Sequence, residues 1–348
     1  QVLSTNGSGT LSWTSASGAS DIDGLSDALI EDNSLYLGAD PSSTSSTAEY
    51  NIGVGLTALD AVTTGDYNTA MGYEALGKLT TGLGNTAIGT GTMYYGVVTG
   101  NWNTAIGAYG LMKNTSGESN IAIGNSVLRE NTTGDSNIGI GGNALYDNVS
   151  GVYNVAIGAN ALENSVGNGS VAIGYLAMRN YTTTGYSFST AIGYQSAYNN
   201  TGTRNTAVGS NSLGGIGSGG YNAALGYQSL YAITSGSYNT AYGANSSDAL
   251  TTGSSNVTIG YNSEAGAVDA TNQIVIGSGS TGQADNSVTL GNANVTAVYA
   301  AQDAGATIYA AALDVSASGG ITLENDETIT NSTDGTVEIG GNLSGTGS

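Results

Sequence analysis

The 348-residue chain contains no cysteine and no histidine, and it has one proline and one phenylalanine. Without cysteine it forms neither disulfide bonds nor thiolate metal sites, and without histidine it lacks the commonest general base and metal ligand. The absence of cysteine is compatible with a location outside the cell. A single proline agrees with a fold in which most backbone N–H groups join a hydrogen-bond ladder.

Basic residues are also scarce. Five Lys and Arg residues stand against 26 Asp and Glu residues, which gives a net charge of -21. Nucleic-acid binding through phosphates needs clustered basic residues, so we expect no nucleic-acid partner, and an anionic membrane surface would repel the chain. No apolar run approaches the about 18 residues that cross a bilayer, so we expect no membrane insertion.

What the chain does contain is a repeated phrase, which begins near residue 51 and consists of Asn, a Thr or β-branched residue, Ala, Ile and Gly. Copies read NTAIG at 85–89 and 103–107, NIAIG at 120–124, NVAIG at 154–158 and NTAVG at 205–209. The closing glycines are mostly 17 residues apart, as between Gly243 and Gly260. A fixed period over such a length is typical of stacked repeats, in which each unit packs on its neighbours.

Positions within the repeat, counted from the Asn as position 0, predict the local structure. Position 2 is small and position 3 is a large aliphatic residue, and adjacent residues of a strand point to opposite faces. A second small-then-large pair, such as Ala75 and Leu76, predicts a second strand, and Asn/Gly-rich turns such as 114–117 use positive φ to close the coil. The sequence therefore predicts an all-β, parallel β-solenoid of about fifteen 17-residue coils, with an axial ladder of position-0 Asn amides.

Each coil has two apolar strand faces but little interior. A 17-residue coil has room for about one layer of side chains, so the Ala face and the Ile face cannot both lie inside. An apolar face left outside needs a cover. We expect that cover to be another copy of the chain, and a homotrimer is the closed arrangement for parallel rods. The alternative is a monomeric β-helix whose apolar flank is covered by loops.

The phrase NTAIG, followed by Ala-Leu and by NTTG at 131–134, resembles the head repeats of trimeric autotransporter adhesins. It is more similar to the repeat shafts of tail fibres from tailed bacteriophages. Residues 25–59 resemble the segment that precedes such phage repeats, and residues 290–299 with 306–309 resemble the segment that follows them. The adhesin heads have coils of about 14 residues, so their ligands are not carried over to this chain. The resemblance implies a trimer of left-handed parallel β-rolls, outside the cell or on a virion, that serves attachment.

The repeat divides the chain into three parts. Residues 1–50 are expected to form an N-terminal junction or cap, with a short helix over 25–32. Residues 51–294 are the solenoid shaft, and residues 295–348 are a C-terminal β-rich exit segment and linker. Strand-like runs in that last part lie at 306–309, 321–323 and 336–339.

Aromatic residues are the candidate ligand contacts. The period is broken once, by extra residues at 181–189, and insertions in a solenoid form a loop on one flank. Tyr181, Tyr186 and Phe188 are candidates for an aromatic shelf under a sugar ring, although we favour a local bulge with packed aromatics. Tyrosines also recur directly after the repeat glycine, where we favour packing between coils over carbohydrate contact. These are Tyr73, Tyr175, Tyr194, Tyr227 and Tyr261.

Catalytic and metal-binding patterns are weak. Carboxylates of the kind that hydrolyse glycans in pairs occur in the irregular ends, at Asp21 and Asp23 and at Glu324, Asp326 and Glu327, and simple exposure explains them better. No complete Ca²⁺ loop is present, and the G-x-G pieces lack the helix that a phosphate cradle needs. We therefore expect no enzymatic activity, no cofactor and no metal.

The sequence favours a structural fibre, the trimeric shaft of a phage tail fibre or surface adhesin that mediates attachment to a host cell. Its expected partner is a cell-surface glycan or an outer-membrane receptor, and its expected location is extracellular or on a virion, with the cell surface as the alternative. A self-assembling extracellular filament, a carbohydrate-binding repeat module and a glycan-degrading virion enzyme are the competing functions.

Overall fold

The computed structural model describes residues 33–38 and 47–298, together with the backbone of three short strands that precede residue 32. Residues 1–295 form one compact unit and residues 296–348 form a second, of which only 296–298 are described. Strand β1 (Val2–Thr5) pairs antiparallel with β2 (Leu11–Thr14). No α-helix occurs in the described part of the chain.

A hairpin stands where the short helix was expected. Strand β3 (Ala28–Glu31) pairs antiparallel with β4 (Ser34–Leu37), so the helical prediction for 25–32 is wrong over these residues. Two residues connect the strands, and Asn33 adopts a φ of 60°, which suits the tight hairpin turns that match strand twist. Strand β4 then pairs parallel with β5 (Ile52–Val54), so the stack begins one coil before the repeated phrase.

Sixteen short parallel strands, one from each coil, form the stack. After β4 and β5 these are β6 (Thr69–Met71), β7 (Thr86–Ile88), β8 (Thr104–Ile106), β9 (Ile121–Ile123), β10 (Ile138–Ile140), β11 (Val155–Ile157), β13 (Val171–Ile173), β15 (Thr190–Ile192), β16 (Thr206–Val208), β17 (Ala223–Leu225), β18 (Thr240–Tyr242), β19 (Val257–Ile259), β20 (Ile274–Ile276) and β21 (Val288–Leu290). Two-residue strands β12 (Gly167–Asn168) and β14 (Gly185–Tyr186) pair with each other outside it. The predicted all-β solenoid with 17-residue coils is confirmed. At about 4.8 Å per strand, the stack is about 70 Å long.

The strand register places the small residues inside. Ala122 of β9 pairs with Ala105 and Gly139 of its neighbours, and the middle residue of nearly every strand in the stack is fully buried. Ile121 and Ile123, on either side of it, point outward and are each 37% exposed. The interior is completed by large residues at position 8, such as Leu128. In the single chain the Ala face therefore lines the interior and the Ile face lies outside.

The second strand predicted in each coil is absent, because position 8 lies in a turn. Leu128 and Leu145 have φ values of 52° and 54°, in the left-handed region that non-glycine residues rarely enter. Such a conformation costs about 1–3 kcal/mol, and full burial of a leucine side chain offsets it with about 1.5–3 kcal/mol. A small-then-large pair thus marks a tight turn with a buried leucine as well as it marks a strand.

The Asn/Gly-rich turns also differ from expectation. Their glycines do not have positive φ; the left-handed residue is the one before the next position-0 Asn, such as Ser119 or Ser136. Glycine is needed instead because successive coils approach closely. A Cβ added at Gly100 would lie 2.2 Å from the carbonyl oxygen of Gly117.

Adjacent glycines at the end of β10 give a matched test of the strand corner. Gly141 has a φ of 115°, and an added Cβ would lie 2.7 Å from the carbonyl carbon of Gly158, whereas the nearest atom to a Cβ at Gly142 is 4.0 Å away. We expect Gly141→Ala to lower the free energy of unfolding by about 2 kcal/mol or more, and Gly142→Ala to change it by less than about 0.5 kcal/mol. Thermal or urea unfolding measures both, and equal effects would contradict the stacked-corner geometry.

The predicted asparagine ladder runs through the interior. Asn68 donates through Nδ2 to Oδ1 of Asn51 over 3.2 Å and to the carbonyl oxygen of Gly82 over 2.9 Å, and its backbone N–H also donates to Asn51. The same bonds repeat up to Asn154. Each buried amide therefore bonds to the adjacent coils and also across its own coil, so that its donors and acceptor are satisfied without water.

Candidate functional site

The inserted segment interrupts the ladder. Serine takes the place of Asn at Ser170, whose hydroxyl is 2.6 Å from that of Ser187, and the ladder resumes at Asn205. The extra residues include β14, which pairs with β12 of the preceding coil. The insertion therefore widens one coil while the stack of strands continues through it.

The three aromatic candidates of the insertion do not form one shelf. Tyr181 is completely buried, because it occupies the inward position held by Asn148 and Ser165 in the two preceding coils. Its hydroxyl has no hydrogen-bond partner, and it cannot contact a ligand from solution. Tyr186 and Phe188 are 53% and 57% exposed and stack on each other, with ring centroids 5.5 Å apart. Only these two of the three candidates reach the surface.

The tyrosines that follow the repeat glycine lie on the outside, each about half exposed. Tyr175 and Tyr194 stack across adjacent coils, with centroids 5.7 Å apart, so packing between coils and exposure occur together. A second column was missed: Tyr221 and Tyr238 stack at 5.0 Å just before the position-0 Asn. The sequence signal for this second column is the aromatic residue that directly precedes the position-0 Asn. Each ring of such a pair covers one face of the other, which leaves the outer faces and the edges for a ligand.

A flank formed by positions 9 and 10 carries four of the five basic residues. Lys113 pairs with Glu130, and Arg179 pairs with Glu163. Burial disfavours ionisation of Glu163, but hydrogen bonds from Arg179 and Asn160 prevail and lower its pKa. The bond to Glu163 in turn raises the pKa of Arg179. Lys113 and Arg179 are therefore already paired with carboxylates of the chain.

One cleft opens beside this charged flank, in the coils that follow the insertion. It has a volume of about 290 Å³ and is lined by Gln195, Tyr198, Asn199, Asn211, Gly214 and Tyr231. None of the six side chains is charged. The sequence signal that marks it is the pair Gly214-Gly215, which removes the side chains that positions 9 and 10 carry in the adjacent coils.

A carboxylate pair lies near the end of the stack. Glu264 occupies position 8, which is leucine in most coils, and its Oε1 accepts a hydrogen bond from the backbone N–H of Asp248 over 3.1 Å. Burial, together with the hydrogen bond and repulsion from the Asp248 carboxylate, raises the pKa of Glu264 from 4.5 to about 8. Glu264 therefore holds a proton at neutral pH.

This proton makes stability depend on pH. Between pH 4.5 and about 8 the unfolded chain releases the Glu264 proton while the folded chain keeps it, so stability falls as pH rises through this window. We expect Glu264→Gln to lose this dependence and to melt above the wild type at about pH 9. Melting curves at about pH 5 and about pH 9 measure it, with Glu118→Gln as an exposed control. A wild-type profile in Glu264→Gln would contradict the assignment.

Other predicted features give no described site. The carboxylates at Asp21 and Asp23 and at Glu324, Asp326 and Glu327 lie outside the described residues, as do the strand-like runs after residue 305. Within the described ranges no three metal-ligating side chains come together. Nor is any helix in those ranges long and apolar enough to cross a membrane.

Neither a protein-family model nor a curated protein matches this chain. The likeness to phage fibre shafts and adhesin heads therefore rests on the repeated phrase and its flanking segments.

Proposed function

We propose that the chain is a structural fibre protein, in which three parallel copies form a shaft for attachment to a host cell. The observation that carries this proposal is the outer sheet face, which we define as the first and third residues of the stacked strands from β5 to β21. The assembly, the attachment role and an extracellular or virion location are all part of the proposal.

The outer sheet face is apolar and uncharged along its whole length. Its strands contain no Asp, Glu, Lys or Arg between Ile52 and Leu290, although the chain carries a net charge of -21. Its large apolar side chains together expose on the order of 1,000 Å², more than the about 300–600 Å² of the largest patch on a typical monomer. About 800 Å² per partner is enough for a stable interface.

Other copies of the same chain suit this face best. Acidic rods repel each other except where a neutral surface lets them approach. Copies aligned in parallel would match coil with coil along the full stack, because they share one period. Three-fold packing closes such an assembly and leaves no apolar face free for further growth.

The shaft serves as a spacer in this proposal. Any feature of a regular coil is copied every 17 residues, so a specific contact belongs where the period is broken. Such places are the insertion at 181–189, the coils next to it and residues 295–348. The resemblance to phage tail fibres and surface adhesins supports attachment as the purpose of the spacer.

A self-assembling filament is the main alternative. Growth of a rod end to end needs open strand edges, but β3 pairs antiparallel with β4 and occupies the first edge of the stack. Because β3 runs antiparallel to the coil strands, it interrupts the parallel register that end-to-end stacking of coils would continue, which favours a rod of finite length. Stacked tyrosine pairs, which occur on only some of the described coils, likewise favour a spacer over a flank that binds polysaccharide along its whole length.

Electron micrographs of the purified protein, combined with cell-binding assays, test the proposal. We expect thin rods of uniform length that bind host bacteria, whereas residues 51–294 with added end caps bind them poorly. Filaments of indefinite length would support the alternative. If residues 51–294 bound cells as well as the full chain, the flank of the shaft would be the binding surface and the spacer proposal would be wrong. If the protein released reducing sugar ends from polysaccharide, it would be an enzyme and both proposals would be wrong.

A further inference from the structure

We propose that the cleft between Tyr198 and Tyr231 binds one uncharged sugar unit of a glycan. This inference rests on the proposed attachment function and gives it a site and a ligand class.

The cleft exists because one coil lacks two side chains. Tyr198, Gly214 and Tyr231 occupy position 9 of three successive coils, so the two tyrosines are about 9.6 Å apart along the stack. A Cβ at Gly214 would lie 2.9 Å from the ring of Tyr231, so only glycine lets that ring lie over the middle coil. At Gly215 an added Cβ would likewise lie 2.9 Å from the backbone oxygen of Tyr231, so this position is also restricted to glycine.

One wall of the cleft is held in place from the preceding coil. Nη1 of Arg179 donates to the hydroxyl of Tyr198 over 3.0 Å, and Arg179 is itself fixed by its ion pair with Glu163. Nδ2 of Asn180 donates to Oδ1 of Asn199 over 2.8 Å. These contacts fix two lining side chains before a ligand arrives, which reduces the ordering cost of binding.

Asn199 ends a short amide ladder and keeps its own donors available. Asn164 donates to Asn180, and Asn180 donates to Asn199, but the next coil has Gly215 at this position. The amide nitrogen of Asn199 therefore donates to no protein atom. Its two N–H groups lie at the cleft, where they can donate hydrogen bonds to a ligand oxygen.

The lining chemistry matches a neutral sugar. Gln195, Asn199 and Asn211 each offer an amide donor and acceptor, and sugar hydroxyls both donate and accept. The two tyrosines add rings against which the C–H groups of a sugar can pack. The cleft has no charged side chain, and the nearby Arg179 is already paired. With a net charge of -21, the chain would repel an acidic sugar.

The site is small, and the glycine pair at positions 9 and 10 that forms it occurs in one coil, at Gly214-Gly215. A volume of about 290 Å³ is at the lower end of small-molecule sites, which suits one or two sugar units of a longer glycan. We expect a dissociation constant of about 1 mM for a single sugar. Three copies on one fibre would raise the avidity for a cell surface well above that value.

Saturation-transfer NMR on the full chain tests the proposal with glucose, galactose, mannose and N-acetylglucosamine as neutral probes, and with glucuronic and N-acetylneuraminic acids as acidic ones. We expect transfer to at least one neutral sugar and to neither acid. Tyr231→Ala and Asn199→Ala should each weaken binding by about tenfold or more. Tyr227→Ala removes an exposed tyrosine of the same coil outside the cleft and should leave binding unchanged.

Three results would overturn the cleft assignment: no transfer to any neutral sugar, equal transfer to the acids, or unchanged binding by Tyr231→Ala. Melting curves of each variant establish that it is folded, and Asn199→Ala, which alters an exposed side chain, keeps the test decisive if Tyr231→Ala is unstable. Light scattering on the same samples counts the chains per particle. A three-chain rod that binds no sugar would refute the cleft alone, whereas a monomer would refute the proposed fibre.

Discussion

Replacing Asn137 with alanine is expected to lower the free energy of unfolding by about 3–5 kcal/mol. Nδ2 of Asn137 donates to Oδ1 of Asn120 and to the carbonyl oxygen of Gly151, and its own Oδ1 accepts from the backbone and side chain of Asn154. Alanine would leave the Asn154 N–H buried without a partner, which costs about 1–3 kcal/mol, whereas the Gly151 oxygen would keep its second bond, from Nδ2 of Asn148. The other three lost hydrogen bonds add about 0.5–1.5 kcal/mol each.

Asn125→Ala is the matched control, since it removes an exposed amide whose only side-chain bond is to the neighbouring Ser126. Its expected effect is within about 0.5 kcal/mol. Urea unfolding followed by circular dichroism compares the two variants with the parent chain. If Asn137→Ala were as stable as Asn125→Ala, the interior ladder would not be what holds the coils together.

Ile123→Asp is expected to abolish assembly while leaving the coils of each chain folded. The sequence alone left open which strand face lines the interior, and Ile123 lies on the outer sheet face, where it is 37% exposed in the single chain. A lone chain can hydrate the new carboxylate. A trimer would bring three of them into an apolar interface, where an unpaired charge costs several kcal/mol.

Thr133→Asp places the same charge on an exposed turn of the same coil and should leave the assembly intact. Light scattering reports the number of chains, and circular dichroism reports the β content. A three-chain particle from Ile123→Asp would show that the outer sheet face is not the contact surface. Loss of β structure would show instead that this isoleucine supports the coil itself.

The repeat made the stack and its ladder predictable, because a 17-residue period forces each Asn onto the Asn of the next coil. It did not reveal which strand face is inside, since both faces are apolar. In most coils the interior has room for a residue no larger than alanine at the middle of the strand, such as Ala122. The second strand was predicted wrongly because the sequence pattern around Leu128 fits a left-handed turn as well as it fits a strand.

The candidate site was harder to predict than the fold. Tyr181 was one of three candidates for an aromatic shelf, but it lies 16 residues after Ser165 and keeps that inward position despite the insertion. The cleft depends on Tyr198, Gly214 and Tyr231 being stacked on consecutive coils. Such an arrangement appears in the sequence only when the position-9 residues are aligned from coil to coil, whereas the repeated phrase draws attention to the strand.

The number of chains in the native particle tests the central claim most directly. Multi-angle light scattering or sedimentation equilibrium of the full chain at about micromolar concentration should give three chains per particle, because the uncharged outer sheet face needs a cover along its whole length. A stable, soluble monomer at that concentration would contradict the account.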